Sequence, residues 1–505
     1  MASSKTKSQK AKTSYECGEC GYVSRSFLGR CPVCEAWGSL NEVVSVDEVA
    51  SKNRVEQQTQ RLMGDKGQEI QPVSMADVTI EEGERIQSGI HELDRVLGGG
   101  VLPGSYVLIG GEPGMGKSTL MLQASQAYAN VFQSKSAKQK ETEVDGECEG
   151  ALSEMAVLYV AGEESPAQIR QRAERLHCVD EAVFLYGEAR LPKIVERIQA
   201  DKPPMVVIDS IQSIYNPELS GTPGSVNQVK DCAMALMHVA KLTGTIIFLI
   251  GHVTKDGQLS GPKVLEHLVD TVCSVEGERY QDLRLLRTTK NRFGSTQTLG
   301  AFEMTSDGLR EVANPSQWFL SEMGKEPAPG QVVTATMQGS RALIVEIQAL
   351  VGRTTYSVPR RMANGIDVNR IHKMLAILER RIGFEFSSQD VYVNVVGGLK
   401  LDDPALDLAI AMALVSSLRE KPLKAQMVVL GELGLTGEVR SVRQPSFRLQ
   451  EAASIGMTQA VVPKTLRIKK SDVPEALSVT SVGTVMDAMQ ACFPTSALPS
   501  DASGG

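Results

Sequence analysis

Tyr106-Val-Leu-Ile-Gly-Gly-Glu-Pro-Gly-Met-Gly-Lys-Ser-Thr-Leu120 is the stretch whose reading decides the fold. Its opening run, Tyr106–Ile109, is continuously apolar, as a strand covered on both faces must be. The run leads into G-x-x-x-x-G-K-[ST] from Gly111 to Ser118, and a helical pattern follows. A strand before and a helix after is the context in which this pattern cradles nucleotide phosphates. Gly111, Gly114 and Gly116 let the backbone wrap closely around phosphate oxygens and aim N–H groups at them. The helix adds the positive end of its dipole. Lys117 is expected to reach the β- and γ-phosphates and Ser118 to ligate Mg²⁺, with Glu112, Pro113, Met115 and Thr119 completing the loop. ATP and Mg²⁺ are the cofactors this implies.

Two further pieces of a hydrolytic site are legible nearby. Met205-Val-Val-Ile-Asp209-Ser210 is a buried-strand run ending in an acid, and Asp209 is expected to hold Mg²⁺ through water. Val157–Val160 is followed by Ala161-Gly-Glu-Glu-Ser165, which sets two carboxylates at the mouth of a strand. Glu163 or Glu164 could orient and polarise the attacking water. The same pair also suits the first turn of a helix, where acids complement the dipole. Which of them acts is open at this level.

Around this centre, apolar runs alternate with helical stretches from about 76 to 315, and Ile246–Ile250 supplies another strand. That pattern predicts an α/β domain on a parallel sheet. Residues 133–153, rich in Lys, Glu, Ser and Gly, read as a polar surface insertion. A second α/β block covers 328–492, with helices expected near Val368–Arg380, Pro404–Ser417 and Ser446–Ile455. Residues 42–75 read as a linker, and 493–505 as a disordered tail.

The chain has 505 residues, with 53 Lys and Arg against 60 Asp and Glu, a formal charge of −7. That excludes a polycation that grips nucleic acid by bulk charge, so any phosphate-binding surface must be local. No apolar run approaches the roughly 20 residues that span a bilayer, so no membrane partner is expected. Residues 1–14 carry Lys5, Lys7, Lys10 and Lys12 without Arg, and read as a disordered basic arm rather than a transit segment.

Nine cysteines, an odd and mostly dispersed set, fit a reducing cytoplasm rather than a disulfide framework. Four are clustered over 15–41: Cys17-Gly-Glu-Cys20, then Cys31-Pro-Val-Cys34. Two such knuckles present four thiolates to one point, which suits a structural zinc with no open coordination site. So short a segment cannot bury a core alone, so the metal would supply its folding energy.

These strings together resemble the bacterial RadA (Sms) family of RecA-related repair ATPases. The resemblance rests on the four-cysteine knuckle, S-G-I-H-E-L-D-R-V-L-G-G-G at 88–100, the phosphate loop, G-E-E-S at 162–165 and V-V-I-D-S-I-Q at 206–212. It continues in G-H-V-T-K-D-G at 251–257, G-P-K-V-L-E-H-L-V-D at 261–270 and K-N-R-F-G at 290–294. It implies a RecA-like ATPase core that forms a hexameric ring on single-stranded and branched DNA, drives branch migration as a helicase, and works with a RecA-type recombinase in the cytoplasm, at the nucleoid. In K-N-R-F-G, Lys290 and Arg292 are candidates for a cation donated to a neighbouring subunit's γ-phosphate or for a DNA contact. In such a ring the loops after the Asp209 and Ile250 strands face the channel. Lys230, His252, Lys255 and Lys263 are assigned to those loops; the lysines are candidate DNA contacts, and His252 could sense the nucleotide.

The C-terminal block is similar to the proteolytic domain of Lon, carried by Pro359-Arg-Arg361, Gly365, Asp367, Asn369-Arg370 and V-N-V-V-G-G-L-K-L-D-D-P-A-L-D-L-A at 393–409. A Lon peptidase needs a Ser–Lys dyad. Ala405 stands at the serine position, and the lysine position falls near Ser446, so protease chemistry is expected to be absent. Arg360, Arg361, Arg370 and Lys373 are left as basic groups that could touch DNA or organise the ring.

Overall fold

The computed structural model describes residues 12–17, 23–24, 26, 28–33, 37–38, 40–45, 85–142, 155–251, 264–277, 282–296, 298–320 and 327–494. The N-terminal segment is a small antiparallel sheet in which β1 (Lys12–Cys17) lies between β2 (Val23–Ser24) and β3 (Leu40–Ser45). Pairing runs from Lys12 opposite Ser45 to Cys17 opposite Leu40. The sheet therefore begins inside the expected basic arm and ends beyond the expected start of the linker at 42. The reason is the ladder, which needs equal lengths of both strands. Cys17 and Cys31 are buried with Tyr15 and Leu28 packed on them; Cys20 and Cys34 lie outside the described residues.

The chain's contacts divide it into two units, residues 1–296 with 302–311, and 297–301 with 312–505. The ATPase portion of the first unit contains α1 (His91–Val96), β4 (Tyr106–Gly111), α2 (Lys117–Thr142), β5 (Val157–Ala161), α3 (Pro166–Arg175), β6 (Val183–Tyr186), α4 (Leu191–Asp201) and β7 (Met205–Asp209). After these come α5 (Val226–Thr243), β8 (Ile246–Ile250), α6 (Val264–Leu268), β9 (Thr271–Glu276), β10 (Leu283–Asn291), β11 (Leu299–Thr305) and β12 (Gly308–Glu311). The sheet order is β12-β11-β10-β9-β4-β8-β7-β5-β6. From β9 to β6 the neighbours are parallel; β9/β10 and β11/β12 are antiparallel.

Alternation along the parallel strands supplies two cores. Val107 and Ile109, Met205 and Val207, and Phe248 and Ile250 enter one, on the α2 side. Tyr106 and Leu108, Val206 and Ile208, and Ile247 and Leu249 enter the other, against α4 and α5. Each fully buried aliphatic side chain contributes about 1.5–3 kcal/mol.

In the first part of the stretch read as a polar surface insertion at 133–153, α2 continues to Thr142 through residues with good helix propensity, and Gln133, Ser134 and Lys135 are exposed. Residues 143–154 lie outside the described set. The division of the chain falls after Glu311, where β12 ends, close to the boundary expected at 315; Ser316 belongs to the second unit, where its hydroxyl donates to Glu451 at 2.5 Å.

The second unit contains β13 (Gln331–Gln338), β14 (Arg341–Arg353), β15 (Arg361–Asn364), α7 (Val368–Ile377), β16 (Gln389–Val395), α8 (Asp407–Leu418) and β17 (Met427–Val429). The hairpin β18 (Glu432–Leu433) and β19 (Val439–Arg440), then α9 (Pro445–Ser454), β20 (Gln459–Pro463), β21 (Ser478–Val482) and α10 (Val485–Cys492) complete it. Its sheet runs β15-β16-β14-β13-β17-β20-β21. Helix α8 is apolar all round, and Asp407–Ser417 is buried throughout, as a central helix must be.

The expected basic face of this unit is partly turned inward. Arg370, 12% exposed, donates to Asp407 at 2.7 Å, and Lys373 pairs with the same carboxylate at 3.5 Å. Arg361 donates to the Phe386 carbonyl at 2.7 Å, while Arg360 stacks on Tyr356 at the surface. Arg448 is fully buried; it pairs with Asp403 at 2.7 Å and donates to the carbonyls of Arg443 and Ala335. Burial pushes its guanidinium below the usual range, opposed by Asp403. Removing one member of such a pair strands the other. Arg448→Ala is expected to cost about 3–5 kcal/mol, which scanning calorimetry should register as a fall of roughly 10 °C in the melting of the C-terminal unit.

Candidate functional site

A parallel sheet delivers the C-terminal ends of its strands to one edge, and the phosphate loop, Glu163, Glu164 and Asp209 meet there. Strand β4 ends at Gly111, and α2 begins at Lys117. Between them Gly114 (φ 84°) and Gly116 (φ 91°) occupy the left-handed region, which a side chain would strain. A Cβ on Gly111 would stand 2.8 Å from the Val275 carbonyl oxygen. Lys117 reaches back over the turn, its Nζ donating to the carbonyls of Gly111 (2.8 Å) and Glu112 (2.9 Å). It is only 4% exposed, and burial lowers the ammonium pKa, opposed by the nearby Asp209 and Glu163 carboxylates. A buried cation surrounded by carbonyl oxygens at the head of a helix is a site prepared for polyphosphate.

A cavity of about 330 Å³ opens over this turn. Pro113, Gly114, Gly116, Lys117, Ser118, Thr119, Glu163, Glu164 and Asp209 all line it. Met115 instead points into the core, 3% exposed. Ile169, Arg172 and Met304, which sequence reading passed over, complete the wall. The Ser118 hydroxyl and Asp209 carboxylate are hard oxygen donors beside a phosphate cradle, a set that fits Mg²⁺, which usually takes one or two carboxylates plus substrate oxygens.

The two adjacent glutamates are treated differently by the fold. Strands β5 and β7 pair with Ala161 opposite Asp209, and the Gly162 N–H donates to the Asp209 carbonyl at 2.9 Å, carrying the ladder past the strand end. This places Glu163 against Ser210, whose hydroxyl donates to its carboxylate. Glu164 turns the other way and pairs with Arg172 of α3. That helix starts at Ser165 in a capping box with Gln168, which fixes where Arg172 projects. Tyr159, fully buried on β5, donates its hydroxyl to Asp209 Oδ2 at 2.6 Å. Burial and the neighbouring Asp209 push the phenol well above its usual pKa. Tyr159 and Ser210 were the signals missed: a hydroxyl-bearing ring inside an apolar strand run, and a hydroxyl directly after the strand-ending acid.

Lys290 and Arg292 stand elsewhere. Asn291 is opposite Thr271, and Thr271 is opposite Val107 at the start of β4, whereas Gly111 ends that strand. The offset is roughly 13 Å along the sheet, before the phosphate turn is counted. Lys290 Nζ donates to the carbonyls of Glu266 (2.6 Å) and Val269 (2.8 Å) at the end of α6, with burial lowering its pKa. Arg292 is 3.6 Å from the buried Asp270 carboxylate, which also receives Lys241 at 2.6 Å and the Tyr106 N–H at 3.1 Å. The 88–100 string is the buttress of this turn: Asn291 donates to the Leu97 carbonyl, and Arg85 donates to the Gly100 and Phe293 carbonyls. Lys230 lies exposed in the second turn of α5, not in a loop as expected, because the helix begins at Val226. His252, Lys255 and Lys263 lie outside the described residues.

A family model described as an AAA domain matches residues 72–258, one described as a rubredoxin metal binding domain matches 15–42, and one described as subunit ChlI of Mg-chelatase matches 363–466. DNA repair protein RadA of Streptococcus pyogenes serotype M6 is 45% identical over 484 residues, covering 96% of this chain and 99% of its own. The RadA proteins of Listeria monocytogenes and Bacillus subtilis are 42% and 41% identical over 96% and 95% of the chain. The chain belongs to the bacterial RadA family. With a RadA chain's full extent and a phosphate cradle beside paired acids, it is an ATP hydrolase. Among the described residues, no helix is long and apolar enough to cross a membrane.

Proposed function

We propose that this RadA protein is a DNA-dependent ATPase that works in DNA repair as a branch-migration helicase, turning ATP hydrolysis into movement along single-stranded and branched DNA within a homohexameric ring in the cytoplasm. The observation that carries the motor reading is the separation of Lys290 and Arg292 from their own chain's cradle. Cations at the far edge of the sheet serve a phosphate only if a second subunit brings its cradle to them.

Within one cradle, the loop N–H groups and Lys117 hold the β- and γ-phosphates. Ser118 and Asp209 hold Mg²⁺, which when bound neutralises charge developing on the phosphate oxygens. Glu163 takes the proton of the attacking water. Its support is the link to Ser210, next to Asp209, while Glu164 is committed to Arg172. Glu163→Gln should lower kcat by about 10²–10⁴, with Glu164→Gln changing it only a few-fold, measured by phosphate release under saturating DNA.

Lys230, Lys255 and Lys263 are the proposed channel contacts, and a RecA-type recombinase is the proposed partner. A ring sums a few lysines per subunit into a basic lining, which reconciles DNA binding with a net charge of −7. The shared site is tested by mixing two inactive proteins, Lys117→Ala and Arg292→Ala. In a mixed ring some interfaces join an intact cradle to an intact Arg292, so ATPase and three-strand junction extension should return to about a quarter of normal. A mixture as inactive as its components overturns the reading.

The N-terminal segment is proposed to hold one structural zinc through Cys17, Cys20, Cys31 and Cys34. The buried pair Cys17 and Cys31 and the matched metal-binding model support it. Metal analysis should find one zinc per chain, and chelation should unfold the segment alone. The proposed RecA-like core covers 76–315 and the Lon-protease-like domain 328–492. Ala405, 2% exposed, carries no nucleophile, so the second domain is a scaffold.

A further inference from the structure

Tyr159 is a fully buried polar-headed ring that the hydrolytic scheme has not used. It sits in β5, flanked by Leu158 and Val160, and is the one residue of that strand with a polar side chain. A buried phenol needs a hydrogen-bond partner, and the partner here is the one acid that ends β7. Its hydroxyl meets Asp209 Oδ2 at 2.6 Å. The strand register makes this contact rigid. Tyr159 stands opposite Val207, two residues before the Ala161–Asp209 pair, and such diagonal neighbours are within reach of an aromatic side chain. The Gly162 N–H on the Asp209 carbonyl pins the backbone beside it. The carboxylate is therefore held from its main chain and from one of its two oxygens.

We propose that Tyr159 is a positioning residue for the magnesium–nucleotide complex: by occupying Oδ2 it fixes the plane in which the Asp209 carboxylate meets the metal. The proposal rests on the reading that Asp209 serves Mg²⁺. Ligand carboxylates are themselves hydrogen-bonded, and loss of such an outer partner weakens metal binding by about 10–100-fold. The phenol is a neutral donor, so it orients the acid without cancelling the charge the metal needs. That separates it from Arg172, whose guanidinium pairs with Glu164 in the same cavity.

The experiment uses the full chain with ADP and Mn²⁺ as the spectroscopic stand-in for Mg²⁺. Free Mn²⁺ is followed by electron paramagnetic resonance, and ADP binding without metal by a fluorescent ADP analogue in EDTA. Tyr159→Phe, which removes one oxygen, should weaken Mn²⁺ binding to the protein–ADP complex about tenfold and leave metal-free ADP binding within twofold. A merely structural role for the hydroxyl would lower thermal stability without moving the Mn²⁺ titration, and that result overturns the proposal. Tyr159→Met, also without a donor, is read the same way if the phenylalanine variant does not fold. Asp209→Asn distinguishes the two levels. If it weakens Mn²⁺ binding while Tyr159→Phe does not, only the positioning role fails. If it leaves Mn²⁺ binding unchanged, the assignment of Asp209 fails and the role of Tyr159 with it.

Discussion

The phosphate loop, the Glu163–Glu164 pair and Asp209 lie on separate chain segments spread from residue 111 to residue 209, and a hydrolytic site needs them within one small cavity. The parallel sheet meets that constraint. Because its strands run the same way, the turn after β4, the acid ending β7 and the glutamates after β5 emerge at one edge. The two apolar cores exist to keep that edge flat and in register. Their burial compensates for holding Lys117 out of water among carbonyls.

The opposite edge is built with equal care and contrary chemistry. Each residue of the 290–293 string has a partner inside the fold: carbonyls of α6 for Lys290, the Leu97 carbonyl for Asn291, Asp270 for Arg292, and Lys241 near the Phe293 ring at 5.9 Å. Asp270 joins this cluster to the first residue of β4 through the Tyr106 N–H. That strand runs from Tyr106 to Gly111, so one element connects the cluster around Asp270 to the phosphate loop.

In the second unit the segment around Ala405 is devoted to cohesion. Ala405 is packed away, and the flanking Asp403 and Asp407 are consumed by Arg448, Arg370 and Lys373. Arg370 and Lys373, expected on a basic face, instead tie α7 to Asp407 of α8, and Arg448 of α9 pairs with Asp403 just before that helix.

The sequence by itself determined the phosphate turn and the acid at the end of β7, because each is a local chemical requirement met by neighbouring residues. The α/β class was equally legible, since continuous apolar runs have few other uses. Sequence left undecided which glutamate faces the metal acid, and it missed Tyr159 altogether. Those contacts join residues 47 and 50 positions apart, and strand register alone brings them together. Only the tertiary structure put Lys290 and Arg292 at the far edge, turned Arg370 inward and carried α2 through the expected insertion. In each case a partner distant in the chain, or a packing face invisible in local composition, outweighed what the neighbouring residues suggested.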